Sequence, residues 1–387
     1  RLAGLDMQPR ARRGRTAVPV AVWLWSGVGV ALLAIIIVAV LAFGGSPGIN
    51  YPSKARIRAA NAVADSGNLS AATHQLSLAW IDVNQARLHK FPPKEIRATI
   101  RYVQAQSDRV YGIVRPQATV AARLPTHNSN PTQLAMGDPN LYVLDQGREE
   151  IRAVDPTKPG SPQPVVGKTG DTYLQLRWGD PMAVTSDGNE MVAVDSLFNV
   201  LAVAPGQVPL QTESLIAPSS TTHIVAATSY ATNLYLLDTN AGQLWRYLGS
   251  NGTLFVTSAA GYIATPEPTL LKNAVGVAIA NDKVFIALRN GSLLEYHSGQ
   301  RVASFALHLP IRLQHATQIY GRQDLPNLYL VNSSGGKIVE LTQSGSYIRT
   351  LVVPSPLIRG MRQIVISPNH QTIYFLSGTT LYSIPAS

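Results

Sequence analysis

Leu234-Tyr235-Leu236-Leu237-Asp238 is the clearest of six short apolar runs, most of them ending on a polar turn-former, and their recurrence decides the fold. The others are Leu141-Tyr142-Val143-Leu144-Asp145, Met191-Val192-Ala193-Val194-Asp195, Val284-Phe285-Ile286-Ala287-Leu288, Leu328-Tyr329-Leu330-Val331-Asn332 and Ile373-Tyr374-Phe375-Leu376-Ser377. Their starts lie 50, 43, 50, 44 and 45 residues apart, and one four-stranded propeller blade takes about 40 to 50 residues. The second position is aromatic in five of the six and the fifth is a polar turn-former in five. Tyrosines 142, 235, 329 and 374 are therefore expected to pack between neighbouring blades, and Asp145, Asp195 and Asp238 to shape turns.

Another apolar strand precedes each run, as in Met182-Ala183-Val184, and a third follows, as in Leu244-Trp245-Arg246-Tyr247. Fourth strands are expected at 253–256, 302–306 and 347–353. No blade can bury both of its faces alone, so the repeats must stack around an axis. The last copy leaves no room for a fourth strand, and the run Thr119 to Leu124 is expected to supply it, closing the ring and removing an open edge. The fold class expected for 116–387 is thus mainly β, a six-bladed β-propeller closed by strand 119–124.

Ahead of it, Ala17 to Phe43 runs for 27 residues without a charge. At 1.5 Å per residue this reaches roughly 40 Å, enough to cross a hydrocarbon core of about 30 Å as one transmembrane helix. Trp23 and Trp25 stand where indoles prefer the headgroup layer. Arg10, Arg12, Arg13 and Arg15 precede the span and place residues 1–16 in the cytoplasm as a basic tail, with the bulk of the chain outside. After a linker at 44–52, helical periodicity marks a short stalk at 53–115. Its helices are expected from Ser53, from Ser70 to about His89, and from Lys94 to about Val114, with a turn at Ser66-Gly67-Asn68. Gly67 followed by Ala71, Leu76 and Ala79 resembles a tetratricopeptide-like hairpin, and a packed spacer is the alternative.

The net charge of +10 suggests a nucleic-acid partner only until it is divided by region. Residues 1–16 carry five basic groups and one acidic, residues 52–115 ten and four, and residues 116–387 seventeen of each sign. The excess belongs to tail and stalk, where anionic lipid is the natural counter-charge, and the propeller is not expected to bind nucleic acid. Cysteine is absent, which excludes disulfides and thiolate chemistry.

No Gly-x-Ser-x-Gly elbow, phosphate loop or His-Glu-x-x-His site is present, so no catalytic residue and no cofactor are expected. Counting 11 residues back from each repeated run reaches the start of the preceding strand, near one mouth of the channel. Asn130, Asp180, His223, Asn273, His315 (with a two-residue insertion) and Arg362 stand there, with Arg177 and Trp178 in the loop before Asp180. All are polar at the six counted positions, which fits a ligand-binding mouth. One carboxylate among six is poor for calcium, and Asp180, His223 and His315 are the remaining candidates for a zinc-like triad. Trp178 has the alternative of an aromatic plug over the channel.

Ser186-Asp187-Gly188-Asn189 and Ser367-Pro368-Asn369-His370 resemble the Ser-Pro-Asp-Gly turns of TolB-like and NHL-type propellers. That resemblance implies the fold and little chemistry. The order of basic tail, single span and propeller is similar to that of some bacterial receptor Ser/Thr kinases and membrane phosphatases, which implies as one alternative the sensor half of a receptor with its catalytic domain upstream of Arg1; a natural start at Met7 is the other. The expected function is a single-pass cell-membrane protein whose extracytoplasmic propeller binds or senses a protein, peptide or glycan. An accessory subunit of a larger membrane complex is the structural alternative. A metal-dependent lactonase or esterase, as in propellers resembling the gluconolactonase family, is the enzymatic one.

Overall fold

Small residues shape the amino-terminal helices. In the computed structural model, which describes residues 50–386 apart from 205–210, 220, 252–253, 312 and 354–359, three helices come first. They are α1 (Tyr51–Ala64), α2 (Leu69–Leu88) and α3 (Pro93–Val110). Asn50 caps α1 by accepting the Ser53 N–H at 3.0 Å, and Asn68 caps α2 by accepting the Ala71 N–H at 3.2 Å. Ala55, Ala59 and Ala62 of α1 and Ala72 and Ala79 of α2 are buried with Leu76, Val83 and Val103 in one cluster. Their short side chains let the helices approach closely.

Two boundaries differ from the periodicity. Helix α1 begins at Tyr51 because Pro52 suits a first helical turn. Helix α3 stops at Val110 rather than reaching Val114, because Gly112 takes a left-handed turn at φ +57°. Ile113–Val114 then form β1, which pairs in parallel with Thr350 and Leu351 on the edge of the fifth blade. The span expected at 17–43, with Trp23, Trp25, Arg12, Arg13 and Arg15, lies outside the described residues. Among the described residues no helix is long and apolar enough to cross a membrane.

Six four-stranded antiparallel units follow, with inner strands Pro131–Gly137, Pro181–Asp187, Ile224–Tyr230, Ala274–Ala280, Ala316–Tyr320 and Met361–Ile366. Each repeated run is the second strand of its blade. β2 (Thr119–Arg123) pairs antiparallel with Thr380–Pro385 and is the outermost strand of the sixth blade. The chain thus encloses a ring whose first and last strands share one sheet.

The apolar side chains divide into one cluster for each blade junction. Alternation along the second strand explains this, since successive side chains leave opposite faces. Tyr142 and Leu144 face the second blade while Leu141 and Val143 face the sixth. Tyr235, Phe285 and Tyr329 likewise pack into the junction with the following blade. The aromatic position in the repeat is therefore a packing position.

Two outer strands depart from expectation. Leu254–Phe255 pairs with Gly249–Asn251 in a separate ribbon, and Ala260–Gly261 closes the third blade instead. Phe255 is drawn away because it is buried between the second and third blades. In the fourth blade the outer strand is Gln300–Arg301 rather than 302–306. The tight turn at Ser298-Gly299, with φ +49° and +78°, starts that strand early. Phe305 then turns toward Phe285, 6.0 Å away between ring centres.

The aspartates that end three repeated strands tie two loops together. Asp145 accepts the N–H groups of Asn130, Gly147 and Arg148 at 2.7, 3.0 and 3.2 Å. Asp195 accepts those of Gly179, Leu197 and Asn199, and Asp238 those of His223, Asn240 and Ala241. One carboxylate thus holds both its own turn and the segment just before the inner strand. Asp195→Ala should lower stability by about 3 kcal/mol, because it strands several buried donors. Asp195→Asn should cost less, since Asn332 serves the equivalent turn by accepting the Ser334 N–H. Urea unfolding of the two variants measures the difference, and equal losses would contradict the clamp.

Candidate functional site

Every inner strand carries a β-bulge near its start. The register skips Thr132, Met182, Val225, Val275 and Thr317 in the first five blades, and sets Arg362 and Gln363 against Leu376 in the sixth. A bulge re-aims a side chain out of the ladder. Here residues from all six bulges line one cavity of 400 Å³ at the mouth where the inner strands begin.

Neighbouring inner strands are joined on one arc by amide side chains. Gln133 donates to the Met182 carbonyl at 3.1 Å and accepts the Val184 N–H at 3.0 Å. Gln318 does the same to both backbone groups of Ile364, and Gln363 accepts the Leu134 N–H at 2.8 Å. The matching positions in blades two, three and four are Ala183, Ala226 and Gly276. At this level of the channel, amides therefore stand in the fifth, sixth and first blades and small apolar residues in the second to fourth.

Of the residues expected at this mouth, His223 and Arg362 line the cavity. Asn130 reaches Arg362, accepting from its Nη1 at 2.8 Å, and the same nitrogen donates to the Pro131 carbonyl at 2.9 Å. The His223 Nδ1 meets the Thr239 hydroxyl at 2.8 Å. Asp180, Asn273 and His315 are exposed on the rim and do not line the cavity. The Asp180 carboxylate accepts from the Thr169 hydroxyl at 3.0 Å, and the His315 carbonyl accepts from Ser333.

The zinc-like triad is not assembled: among the described residues no three His, Asp or Glu side chains form a group fit for a metal. Trp178 is no plug. It is 1 % exposed, wedged between the first and second blades with Leu201 and at a right angle to Tyr173. Arg177 lies in the short hairpin Thr172–Tyr173 with Leu176–Arg177, away from the cavity.

Sequence reasoning missed Thr132, Met182, Val225, Val275, Thr317 and Arg289. The count of 11 residues falls two short of the bulge in blades one to four. It lands on the bulge at Arg362, where a longer turn separates the first two strands, and in the fifth blade the two-residue insertion allowed for His315 moves the reading off Thr317. Arg289 follows the repeated strand of the fourth blade, where the usual aspartate is replaced by Leu288.

The opposite mouth is built differently. Asp138, Asp187, Arg322 and Asp324 line a second cavity of 470 Å³. Arg322 grips Asp324 through Nε and Nη2, at 2.5 and 2.7 Å, and His370 Nε2 lies 2.7 Å from the same carboxylate. The Arg322 hydrogen bonds pull the Asp324 carboxyl down to about 2. Burial pushes Asp187 up, opposed by a hydrogen bond from Ser229.

The lowered Asp324 value stabilises the fold above the ordinary carboxylate range, and the contribution is lost as pH falls through about 2. The stability difference between the native chain and Asp324→Asn should shrink as pH falls from 4 to 2. Its size should be about 1 kcal/mol or less, because the side chain is 47 % exposed and solvent screens the pair. Urea midpoints across that range measure it, and a difference that grows on acidification would contradict the assignment.

No protein family and no curated protein matches this sequence. Among solved structures, a streptogramin B lyase is 10% identical and covers 69% of this chain and 96% of its own, with a TM-score of 0.42. A gluconolactonase from Xanthomonas campestris is 11% identical, covering 70% and 95%, with a TM-score of 0.47. A WD40 propeller domain is 12% identical, covering 69% and 96%, with a TM-score of 0.44. At these identities the likeness is one of architecture alone.

Proposed function

We propose that this chain is a membrane-anchored binding module whose propeller, on the extracytoplasmic side, recognises a protein, peptide or glycan at the bulge-lined mouth. The observation that carries the reading is the ring of six bulges. Each blade gives up one ladder position at the same end of the channel, and together they form one cavity on a rigid scaffold. Asp145, Asp195 and Asp238, the acidic groups nearest that end in the repeat, are occupied by backbone donors and so serve shape rather than acid–base chemistry.

A sensor role is favoured by the join between helices and propeller. Besides the β1 pairing, Thr350 N–H donates to the Gly112 carbonyl at 3.1 Å and the Tyr347 hydroxyl to the Tyr111 carbonyl at 2.5 Å. A displacement of the fifth blade therefore reaches α3 without a slack linker. The uncharged segment 17–43 supplies the anchor, and the arginines before it set the orientation.

The chain contains no cysteine, so single cysteines report topology cleanly. Lys158→Cys, whose side chain is 76 % exposed, should react with an impermeant maleimide in intact spheroplasts, and Ala11→Cys only after lysis. The reverse pattern would remove the extracytoplasmic assignment. For recognition, Thr317→Trp fills the mouth. Hits of the detergent-solubilised chain on glycan and peptide arrays should weaken about tenfold or more in this variant. Hits indifferent to it would move the site elsewhere.

A further inference from the structure

We infer that the bulge-lined mouth holds an oxyanion, a carboxylate or a phosphate ester carried on an apolar body, between Arg289 and Arg362 with His223 beside them. The inference rests on the binding-module reading and names the ligand class of the same site.

The cavity is lined by two guanidinium groups and an imidazole, and by no Asp or Glu. Arg362 makes both of its hydrogen bonds through Nη1, so Nε and Nη2 have no partner among the described residues. The Asn130 and Pro131 acceptors fix the plane of that guanidinium before any ligand arrives, which lowers the cost of ordering it. Arg289 is exposed, and its guanidinium has neither an ion pair nor a hydrogen bond among the described residues. On His223 the Thr239 hydroxyl engages Nδ1, and Nε2 has no hydrogen-bond partner among the described residues.

Charge is segregated along the channel rather than spread. Residues 116–387 hold equal numbers of basic and acidic groups. Even so, the far mouth is lined by Asp138, Asp187 and Asp324, with Arg322 already committed to Asp324. Asp180 is the one carboxylate expected on the near rim, and Thr169 occupies it. At the bulge end the carboxylates of Asp145, Asp195 and Asp238 are turned to backbone N–H donors, so the charged groups in the cavity lining itself are cationic and favour an anion there. Met182, Val225 and Val275, from the second to fourth blades, line the same cavity and suit the apolar part of the ligand. Planar, two-pronged guanidinium donors match carboxylate and phosphate oxygens.

The test is calorimetric titration of the full chain in an uncharged detergent with phenyl phosphate, benzoate and the neutral benzamide. The expected result is that benzoate or phenyl phosphate binds while benzamide does not, and the better of the two assigns the oxyanion. Arg289→Gln, which removes a side chain with no structural partner, should weaken that binding about tenfold, and Thr317→Trp should abolish it. If benzamide binds as well as benzoate, and Arg289→Gln is without effect while Thr317→Trp still blocks, the oxyanion assignment falls and the binding mouth stands. If no probe binds the native chain, the oxyanion site is overturned, and the array experiment alone then decides the broader reading.

Discussion

Burial of both faces of every blade against a neighbour is the constraint on which the rest depends. A four-stranded sheet whose second strand is apolar on each side has no stable state by itself in water. Here six junctions each receive their own cluster, fed by alternate residues of two adjoining second strands. The channel exists because these junctions splay the inner strands around an axis. Where the strands separate, Gln133, Gln318 and Gln363 supply hydrogen bonds that the neighbouring backbone is too distant to give directly.

The same geometry explains the mouth. Each inner strand must bend away from the ladder as it leaves the hub, and the bulge provides that bend. A turn aspartate from the next strand then fastens the preceding loop by its N–H groups. Packing, bulge and clamp are consecutive parts of one repeat, so six copies place six side chains in a ring without any contact having to be specified across the channel.

The repeat, the number of blades, the packing role of the aromatic position and the turn role of the aspartates were legible in the sequence because each recurs at a fixed phase. Period-two burial and turn chemistry leave strong local marks. The bulges left none: they fall on threonine at 132, methionine at 182 and valine at 225 and 275, with no one residue type in common, and a skipped ladder position is a property of pairing. Trp178 was misread for a related reason, since nothing local tells an indole aimed at the axis from one wedged between blades. Arg289 was hidden because it departs from the repeat, and a search built on recurrence passes over the position where a blade differs. The end of α3 was written at Gly112, but the apolar pair Ile113-Val114 continues the helical spacing and concealed the change to a strand.

The pairing of β2 with the last strand has a consequence for how the molecule is made. Thr119 and Ser383, whose hydroxyls meet at 2.7 Å, are 264 positions apart. On the ribosome, β2 emerges before any blade and its partner emerges after all of them. The first strand of the propeller must therefore wait unpaired until all six blades have been made. Closing so long a loop is entropically expensive, and it comes late. During that interval the nascent chain is an open arc with two raw ends, and protection from chaperones matters most then.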